Sequence, residues 1–458
     1  MAGAGEVDRG RLLRLLGVAF AVAVTVGGTI GVGILRTPGM VARQLGDPWL
    51  IAAAWLLGGG YSLAGTLSVV ELGTALPAAG GWYVYARRAF GEGVGFVVGW
   101  CDWLAQCASL AYLAVSIADF AVSLAPVLTP ATKLVALSPL AAFALIQWLG
   151  LRESSWTQQA TSLVKAVALL AFVAICFAHG PEAAAAAAPS VAAPAGGLAL
   201  LTLFGAVIAL QSVVVTYDGW YSAIYFTEED EDPGRNLPRG ALGGVLATIV
   251  IYMLVNLALM RVLSVQELAA SGLPAADVAQ AVFGGAGGPI VTALALVSLL
   301  SVVNAVLMLA TRIAFAIARD ARQGSLATRV SPSGTPVPAM LLTTGASMAL
   351  VLSGSFEQLI AITAILLVVI YASGFIALLV LRQREPALPR PFRVPGYPWV
   401  PLLALLGSLG FLAGNVVSDP RSSAWAAGLV ALSYPVFRLL AARGGPNPRG
   451  ILASHDDE

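Results

Sequence analysis

Charged residues divide the chain into long apolar stretches. Nine stretches contain no Asp, Glu, Lys or Arg: residues 48–70, 134–151, 183–217, 240–260, 278–311, 330–356, 358–381, 394–418 and 422–437. Three further apolar stretches are residues 18–35, 93–125 and 155–178. A helix needs about 20 mostly apolar residues to cross the hydrocarbon core, and barrel strands would instead alternate in shorter segments. The pattern therefore predicts twelve transmembrane helices.

The amino-acid composition also indicates a protein that lies in lipid. Of 458 residues, 58% are hydrophobic and 11% are charged, against roughly 25% charged in an ordinary soluble protein. The mean hydropathy is +0.85. A net charge of +1 also lacks the concentrated basic character of a nucleic-acid-binding protein. We therefore predict an all-α membrane protein without a nucleic-acid partner.

Cysteine and histidine usage gives no sign of metal or redox chemistry. Cys101, Cys107 and Cys176 lie in apolar stretches without CxxC spacing, and His179 is far from His455. Buried thiols that pack as small hydrophobic groups are the better interpretation. We predict no metal site, no cofactor and no catalytic residues.

Basic residues predict the orientation, because cytoplasmic loops are enriched in Lys and Arg. With the N-terminus inside, Lys165 and Arg312 lie within spans and most other basic residues lie inside. The basic residues left outside are Arg36, Arg43, Lys133, Arg261 and Arg421. We predict a multi-pass plasma-membrane protein with cytoplasmic tails at residues 1–17 and 442–458 and an outside loop at 181–197.

The first span contains four glycines, Gly27, Gly28, Gly31 and Gly33. Glycine is a poor helix former, so we expect the helix to open here and to free backbone groups that lipid cannot satisfy. A freed helix N-terminus attracts a carboxylate, and freed carbonyls can hold an ammonium group. The alternative is that the small residues serve close helix packing.

A carboxylate interrupts the sixth span, in V-V-V-T-Y-D-G-W-Y at residues 213–221. Asp218 precedes Gly219, which we expect to break the helix. A charged side chain in an apolar span needs a polar partner or a water-filled cavity. Two interrupted spans in corresponding positions of two five-helix halves are typical of inverted-repeat secondary transporters. The second break thus favours transport over packing.

Lys165 stands near the middle of the fifth span, too deep to reach water easily. Its ammonium group must find carbonyl partners, and it could serve as a fixed cation or as a proton carrier. The alternative is a structural pair with Asp102 or Glu71 from a neighbouring helix.

Six motifs are spread over nearly the whole chain. They are G-V-G-I-L with Pro38 in the first span, V-E-L-G-T-A-L-P-A-A-G-G-W-Y (70–83), Y-D-G-W, T-E-E and P-G-R-N-L-P-R (217–239), R-V-L-S-V-Q-E-L (261–268), A-R-D (318–320) and R-P-F-R-V-P-G-Y-P (390–398). In this order and spacing they resemble the amino acid-polyamine-organocation superfamily, and within it the L-type amino acid transporter branch.

The resemblance implies a five-plus-five inverted-repeat (LeuT-like) fold. Helices one to five would form the first repeat in residues 18–180, and helices six to ten the second in residues 198–381. Helices one and six would be the broken ones. Two extra helices would follow within residues 399–441.

The resemblance also implies a binding site for an amino acid. The carboxylate would lie on the opened backbone near Val32, Gly33 and Ile34. Lys165 matches a lysine that takes the place of a sodium ion in sodium-independent members, so we expect transport without sodium. The amino group would meet carbonyls of Thr29 or Ile30, and of Val215 and Asp218.

Two residues depart from the family pattern. Val32 stands where a serine or threonine is frequent, so a hydroxyl contact is lost. Val215 stands where many members carry an aromatic gate. Gating would then pass to Tyr217 or Trp220, or the pocket would be larger.

The leading hypothesis is a sodium-independent secondary transporter, a permease or exchanger, that moves amino acids by alternating access. An alternative is a proton-coupled permease for cationic amino acids or polyamines, in which Asp218 binds the cation. A membrane-embedded enzyme lacks supporting motifs, and a non-transporting amino acid sensor is a further alternative. The predicted partners are an amino acid and membrane lipid, with protons added in the proton-coupled case; no oligomeric state is predicted.

Overall fold

The computed structural model describes residues 12–179, 198–321, 324–354 and 356–443. Within these ranges the chain is almost entirely helical. An isolated β-bridge joins Leu16 to Asp230. The predicted outside loop at 181–197 and most of both predicted tails lie outside the described residues.

The α-helices vary from single turns to long apolar rods. In chain order they are α1 (Val18–Thr29), α2 (Gly33–Leu45), α3 (Pro48–Ala75), α4 (Trp82–Phe90), α5 (Glu92–Leu124), α6 (Thr132–Leu149), α7 (Leu151–Ala178), α8 (Leu198–Thr216), α9 (Pro233–Val262), α10 (Val265–Ala270), α11 (Pro274–Phe283), α12 (Gly287–Asp320), α13 (Gly324–Ala327), α14 (Val337–Ser353), α15 (Phe356–Arg384), α16 (Trp399–Ser418) and α17 (Pro420–Arg443). Short 3₁₀ helices lie at Pro126–Ala131, Ser222–Phe226 and Gly284–Ala286.

Each predicted span coincides with a helix or, for the first span, with the pair α1 and α2. Among the described residues, eight helices are long and apolar enough to cross a membrane, or nine if the bent pair is one span. Gly205–Thr216 within α8, and α14, are shorter apolar helices. The chain is therefore an all-helical membrane protein, and the number of twelve spans stays a prediction.

Both helix breaks occur where the sequence predicts them. α1 ends at Thr29 and α2 begins at Gly33, with a bend of 49° between the two helices. α8 ends at Thr216, and the chain turns before the 3₁₀ helix Ser222–Phe226. Gly219 in this turn has φ of +102°, a conformation that favours glycine.

The first break lies at the centre of the helix bundle. α1 packs against α7, α9 and α12, while α2 packs against α8 and α10. α5 runs alongside α12 and α15, and α3 runs alongside α9. Backbone groups freed by the break are thus surrounded by protein and not by lipid, as physical chemistry requires.

Glu71 near the end of α3 fixes the position of α15. The Nε and Nη2 atoms of Arg382 each donate to the Glu71 carboxylate at 2.6 Å. The backbone N–H of Val394 donates to the same carboxylate at 2.7 Å. The Nε atom of Arg390 lies 3.2 Å from the same carboxylate. This buried carboxylate therefore has a structural role, in holding the R-P-F-R-V-P-G-Y-P segment against the bundle.

Candidate functional site

A cavity of about 400 Å³ lies between the two helix breaks. Its wall includes Gly28, Thr29, Gly31, Val32 and Gly33 from the first break, and Val214, Val215, Thr216, Asp218 and Gly219 from the second. Arg36 also lines it and is exposed, and Val215 is 54% exposed. The cavity is thus reached from the side of the bundle where α2 begins, which we call the Arg36 end.

The two breaks touch through glycine residues. A Cβ atom on Gly219 would lie 2.6 Å from the carbonyl oxygen of Gly28, and one on Gly28 would lie 2.6 Å from Oγ of Ser222. No side chain fits at either position. Close packing and helix opening, which the sequence presented as alternatives, therefore occur together.

The start of α2 offers backbone donors to the cavity. The first N–H groups of a helix have no intrahelical acceptor, and in α2 these groups belong to Val32, Gly33 and Ile34. The N–H of Leu35 already donates to the carbonyl of Val32 at 3.0 Å. Free donors and the positive end of the helix dipole together favour an anion, such as a carboxylate, at this point.

Tyr252 of α9 links the two breaks. Its hydroxyl lies 3.0 Å from the carbonyl oxygen of Thr29 and 3.0 Å from that of Thr216. Both carbonyls belong to helix ends, where intrahelical donors are missing. A hydroxyl has one proton to donate, so the two carbonyls share it. Tyr252 thus stabilises the ends of α1 and α8 at once.

Lys165 of α7 caps the C-terminal end of α1. Its Nζ donates to the carbonyls of Gly27 and Ile30 at 2.8 and 2.7 Å, and the side chain is fully buried. A cation is favourable at a helix C-terminus. Lys165 pairs with neither Asp102 nor Glu71, so the structural alternative from the sequence does not hold.

Two polar residues of α7 extend the same contact along α1. The hydroxyl of Ser162 donates to the carbonyl of Ala23 at 2.8 Å, and Nε2 of Gln158 lies 3.1 Å from Ser162 Oγ. A Cβ on Gly27 would lie 2.0 Å from that Nε2. Gly27 therefore permits the close approach of α7 to α1, and it does not line the cavity.

Polar side chains from three elements form one wall of the cavity. The hydroxyl of Tyr371 on α15 donates to Oδ1 of Asp218 at 2.5 Å. Tyr221, which follows the second break, and Gln106 on α5 also line this wall. We did not predict Tyr371, Tyr221 or Gln106 from the sequence, because uncharged residues do not interrupt a charge-free stretch. Gln106 carried one usable signal, since it lies four residues after Asp102 on the same helix face.

Another part of the cavity wall is apolar. It is formed by aliphatic side chains of α12 and α15, namely Val302, Val306, Leu309, Leu367 and Val368. A ligand with a charged end near the breaks would place its remaining part against this surface.

Besides Lys165, four predicted site residues have side chains outside the cavity wall. Ile30 and Ile34 are fully buried in the apolar core, so only their backbone can serve a ligand. Tyr217 packs against Trp55 and Tyr252, with ring centroids 5.9 and 4.8 Å apart. The indole of Trp220 packs 6.0 Å from that of Trp82.

The gating role of Tyr217 and Trp220 stays a prediction. In the described conformation both rings lie in the apolar core, whereas Asp218 and Tyr221 line the cavity. Tyr221 and Tyr371 both line the cavity, with ring centroids 5.1 Å apart.

The other side of the bundle, which we call the Arg312 end, is closed. Nε and Nη2 of Arg312 each donate to Glu229 at 2.9 Å, and both side chains are buried. The backbone N–H of Leu16 donates to the carbonyl of Glu229 at 2.9 Å. The rings of Phe20 and Phe226 pack edge to face at 5.0 Å. Ion pair, backbone and aromatic contacts together block the cavity on this side.

Comparison with known proteins gives one consistent result. Residues 16–434 match the amino acid permease family. The chain is 27% identical to a serine/threonine exchanger of Bacillus subtilis, over 93% of the chain and 96% of that protein. It is 30% identical to Asc-type amino acid transporter 1 of Mus musculus, over 94% and 82%, and 26% identical to large neutral amino acids transporter small subunit 2 of Homo sapiens, over 93% and 80%.

We predict that Tyr252→Phe weakens the site, because the carbonyls at both breaks lose their shared donor. A typical hydrogen bond contributes about 0.5–1.5 kcal/mol, so ligand binding should fall roughly two- to tenfold and the apparent melting temperature in detergent should drop. Tyr217→Phe is the matched control, because the neighbouring Tyr217 hydroxyl has no hydrogen-bond partner among the described residues. Equal effects of the two substitutions would contradict the role of Tyr252.

Proposed function

Because the chain belongs to the amino acid permease family, we propose that it is a sodium-independent secondary transporter that moves amino acids across the membrane by alternating access. Relatives with the names of an amino acid exchanger and of amino acid transporters support this substrate class. The cavity between two broken helices is the observation that carries the proposal.

An amino acid in its zwitterionic form suits the two breaks. Its carboxylate would accept hydrogen bonds from the N–H groups of Val32, Gly33 and Ile34 at the start of α2. Its ammonium group would donate to carbonyls of the breaks. The carbonyls of Thr29 and Ile30 each accept one hydrogen bond from a protein side chain and keep a second lone pair for the ligand.

The other carbonyls proposed for the ammonium group belong to Val215 and Asp218 in the second break. The side chain of the amino acid would then point to the apolar wall of α12 and α15. Backbone groups of the protein would bind the carboxylate and the ammonium group of the amino acid. Its side chain would contact the apolar wall, where small residues leave room. The site therefore favours neutral amino acids.

Alternating access would exchange which end of the bundle is closed. We propose twelve spans in two inverted repeats, with both termini in the cytoplasm of a plasma-membrane protein. In this orientation the Arg36 end faces outside. The contacts at the Arg312 end, led by the Arg312–Glu229 pair, would then separate when the cavity opens inward.

Sodium independence follows in this proposal from Lys165. Its ammonium group is a cation that is covalently part of the protein and satisfies the carbonyls at the end of α1. A metal ion at the same carbonyls would have to displace it. The carrier therefore needs no sodium to hold α1 in its binding-competent form.

We expect purified protein in liposomes to take up labelled neutral amino acids, with a greater rate when the vesicles contain unlabelled amino acid if it is an exchanger. Replacement of sodium by choline should leave the rate unchanged, because Lys165 supplies the cation. Strong sodium dependence would contradict the coupling proposal, and ligand binding without flux would favour an amino acid sensor.

We predict that Lys165→Ala reduces uptake at least about tenfold, because two buried carbonyls lose their donor at a cost of about 1–3 kcal/mol each. Lys133→Ala is the matched control, since it removes the other lysine of the chain from an exposed position on α6. Expression and uptake should be measured for both variants. Wild-type uptake by Lys165→Ala would refute the proposed role.

A second candidate function is transport of cationic amino acids or polyamines. It is favoured by the position of Asp218, whose carboxylate lines the cavity and forms no ion pair with the basic side chains in the described part of the chain. A carboxylate in this position would attract a second ammonium or a guanidinium group.

We predict for this second candidate that Asp218→Asn abolishes uptake of labelled lysine or putrescine and spares uptake of neutral amino acids. The two substrate classes should be compared on the same vesicles, so that loss of both reports damage to the fold. Unchanged uptake of the cationic substrates would dismiss the second candidate.

A further inference from the structure

Asp102 is a carboxylate buried in the middle of the bundle, away from the predicted ligand contacts. It lies on α5 and is fully buried. The hydroxyl of Tyr225 donates to Oδ2 at 2.7 Å, and Nε2 of Gln106 donates to Oδ1 at 3.1 Å. In the described ranges, no ion pair joins Asp102 to a lysine, arginine or histidine.

The titratable groups that face Asp102 provide no cation. They are Cys101 on its own helix and Asp218, Tyr221 and Tyr225 from the second break and the 3₁₀ helix after it. Tyr371 of α15 and Tyr85 of α4 adjoin Tyr221 and Tyr225 in turn.

The basic side chains on the helices that pack against α5 are engaged elsewhere or exposed. Arg312 of α12 binds Glu229, Arg87 of α4 binds Asp320, and Arg382 of α15 binds Glu71. On α6 and α17, Lys133, Arg421 and Arg438 are exposed, while α14 contains no charged residue. Asp102 thus has only neutral donors.

Burial without a cation makes the ionised form costly, by several kcal/mol for a single carboxylate. A bound proton removes this cost. The tyrosine partner serves both forms, because the Tyr225 hydroxyl donates to an ionised carboxylate and accepts from a neutral carboxylic acid. The local hydrogen bonding therefore accommodates Asp102 with and without a proton.

A short polar chain connects Asp102 to the cavity. Nε2 of Gln106, which also contacts Asp102, lies 3.4 Å from the hydroxyl of Tyr221. Gln106, Tyr221 and Asp218 line the cavity, whereas Asp102 does not. Asp102 lies one helical turn before Gln106 on α5, so it sits between the cavity and the Arg312 end.

The same carboxylate is connected to the closed end of the bundle. Tyr225 belongs to the 3₁₀ helix Ser222–Phe226, which leads directly to Glu229 and its ion pair with Arg312. If this end opens, the 3₁₀ helix must move, and Asp102 loses the hydrogen bond from Tyr225 and gains access to water.

We propose that Asp102 is a proton-binding site coupled to the conformation of the carrier. A proton from water in the cavity neutralises the carboxyl group and stabilises the conformation that is closed at the Arg312 end. Release of the proton favours opening of that end, where water solvates the charge. The coupling to transport rests on the proposed function, whereas the binding of a proton by Asp102 does not.

The direct test is infrared difference spectroscopy of purified protein in lipid, titrated from acidic to alkaline pH. The other carboxyl groups, Asp218 among them, contribute equally to the wild type and the variant, so subtraction of the Asp102→Asn titration should leave the carbonyl stretch of one protonated carboxylic acid that persists to neutral pH and disappears as pH rises further. Subtraction of Asp119→Asn, an exposed position on the same helix, should leave a band confined to acidic pH. A difference between the wild type and Asp102→Asn without a band at neutral pH would overturn the proposal.

Amino acid exchange in liposomes tests the coupling. For one coupled proton, the rate should change with pH by up to about tenfold per pH unit in the wild type and in Asp119→Asn, and Asp102→Asn should exchange at a rate independent of pH. Full pH dependence in Asp102→Asn would overturn the coupling. Complete absence of amino acid flux in the wild type would instead count against the proposed function, and the infrared result would still decide whether Asp102 binds a proton.

Tyr225→Phe keeps the test decisive if Asp102→Asn fails to fold. This variant retains the carboxyl group but removes the hydrogen bond that stabilises its ionised form. The midpoint of the infrared titration should therefore move to more alkaline pH than in the wild type. An unchanged midpoint would contradict the proposed site.

Discussion

Lipid offers no hydrogen-bond partners, and this constraint explains the centre of the molecule. Each backbone N–H or C=O group that a broken helix releases must be satisfied by protein or by a ligand. The carbonyls at the end of α1 are satisfied by Lys165 and Tyr252, and the carbonyl at the end of α8 by Tyr252. The N–H groups at the start of α2 have no backbone acceptor among the described residues, and we propose that a ligand binds them.

Close packing makes this solution possible. Gly28 and Gly219 bring the two breaks into contact, and Gly27 brings α7 close enough for Lys165 to reach α1. A ligand that binds these backbone groups would therefore bridge two helices that meet at one point. The contacts that close the Arg312 end belong to the segment after the second break, so the closed end and the cavity share this part of the chain.

The helices and their breaks could be predicted from the sequence because each has a local cause. Widely spaced charges delimit the helices, and clustered glycines or a buried Asp218 mark the interruptions. Lys165 was also recognisable, since a lone lysine in an apolar span requires carbonyl partners. By contrast, its exact partners depend on tertiary packing, which placed Gly27 and Ile30 within reach instead of Asp102 or Glu71.

The polar wall could not be predicted in the same way. Tyr371 comes from a helix far along the chain, and a tyrosine in a hydrophobic span is compatible with core, lipid or cavity. The direction of Trp220 depends on the turn at Gly219, whose φ of +102° rotates the following residues away from the course of a regular helix. The amino-acid sequence does not show the direction of this rotation.

We infer that an amino acid occupies the cavity between the two breaks. Its most direct test is the rate at which a membrane-impermeant maleimide labels Val215→Cys in sealed vesicles, with and without a panel of neutral amino acids. The native cysteines are buried, and Val127→Cys, at an 83% exposed position away from the cavity, provides the control. We predict that at least one amino acid slows labelling at position 215 but not at position 127. If an amino acid that the protein transports leaves labelling at position 215 unchanged, the amino acid does not occupy this cavity.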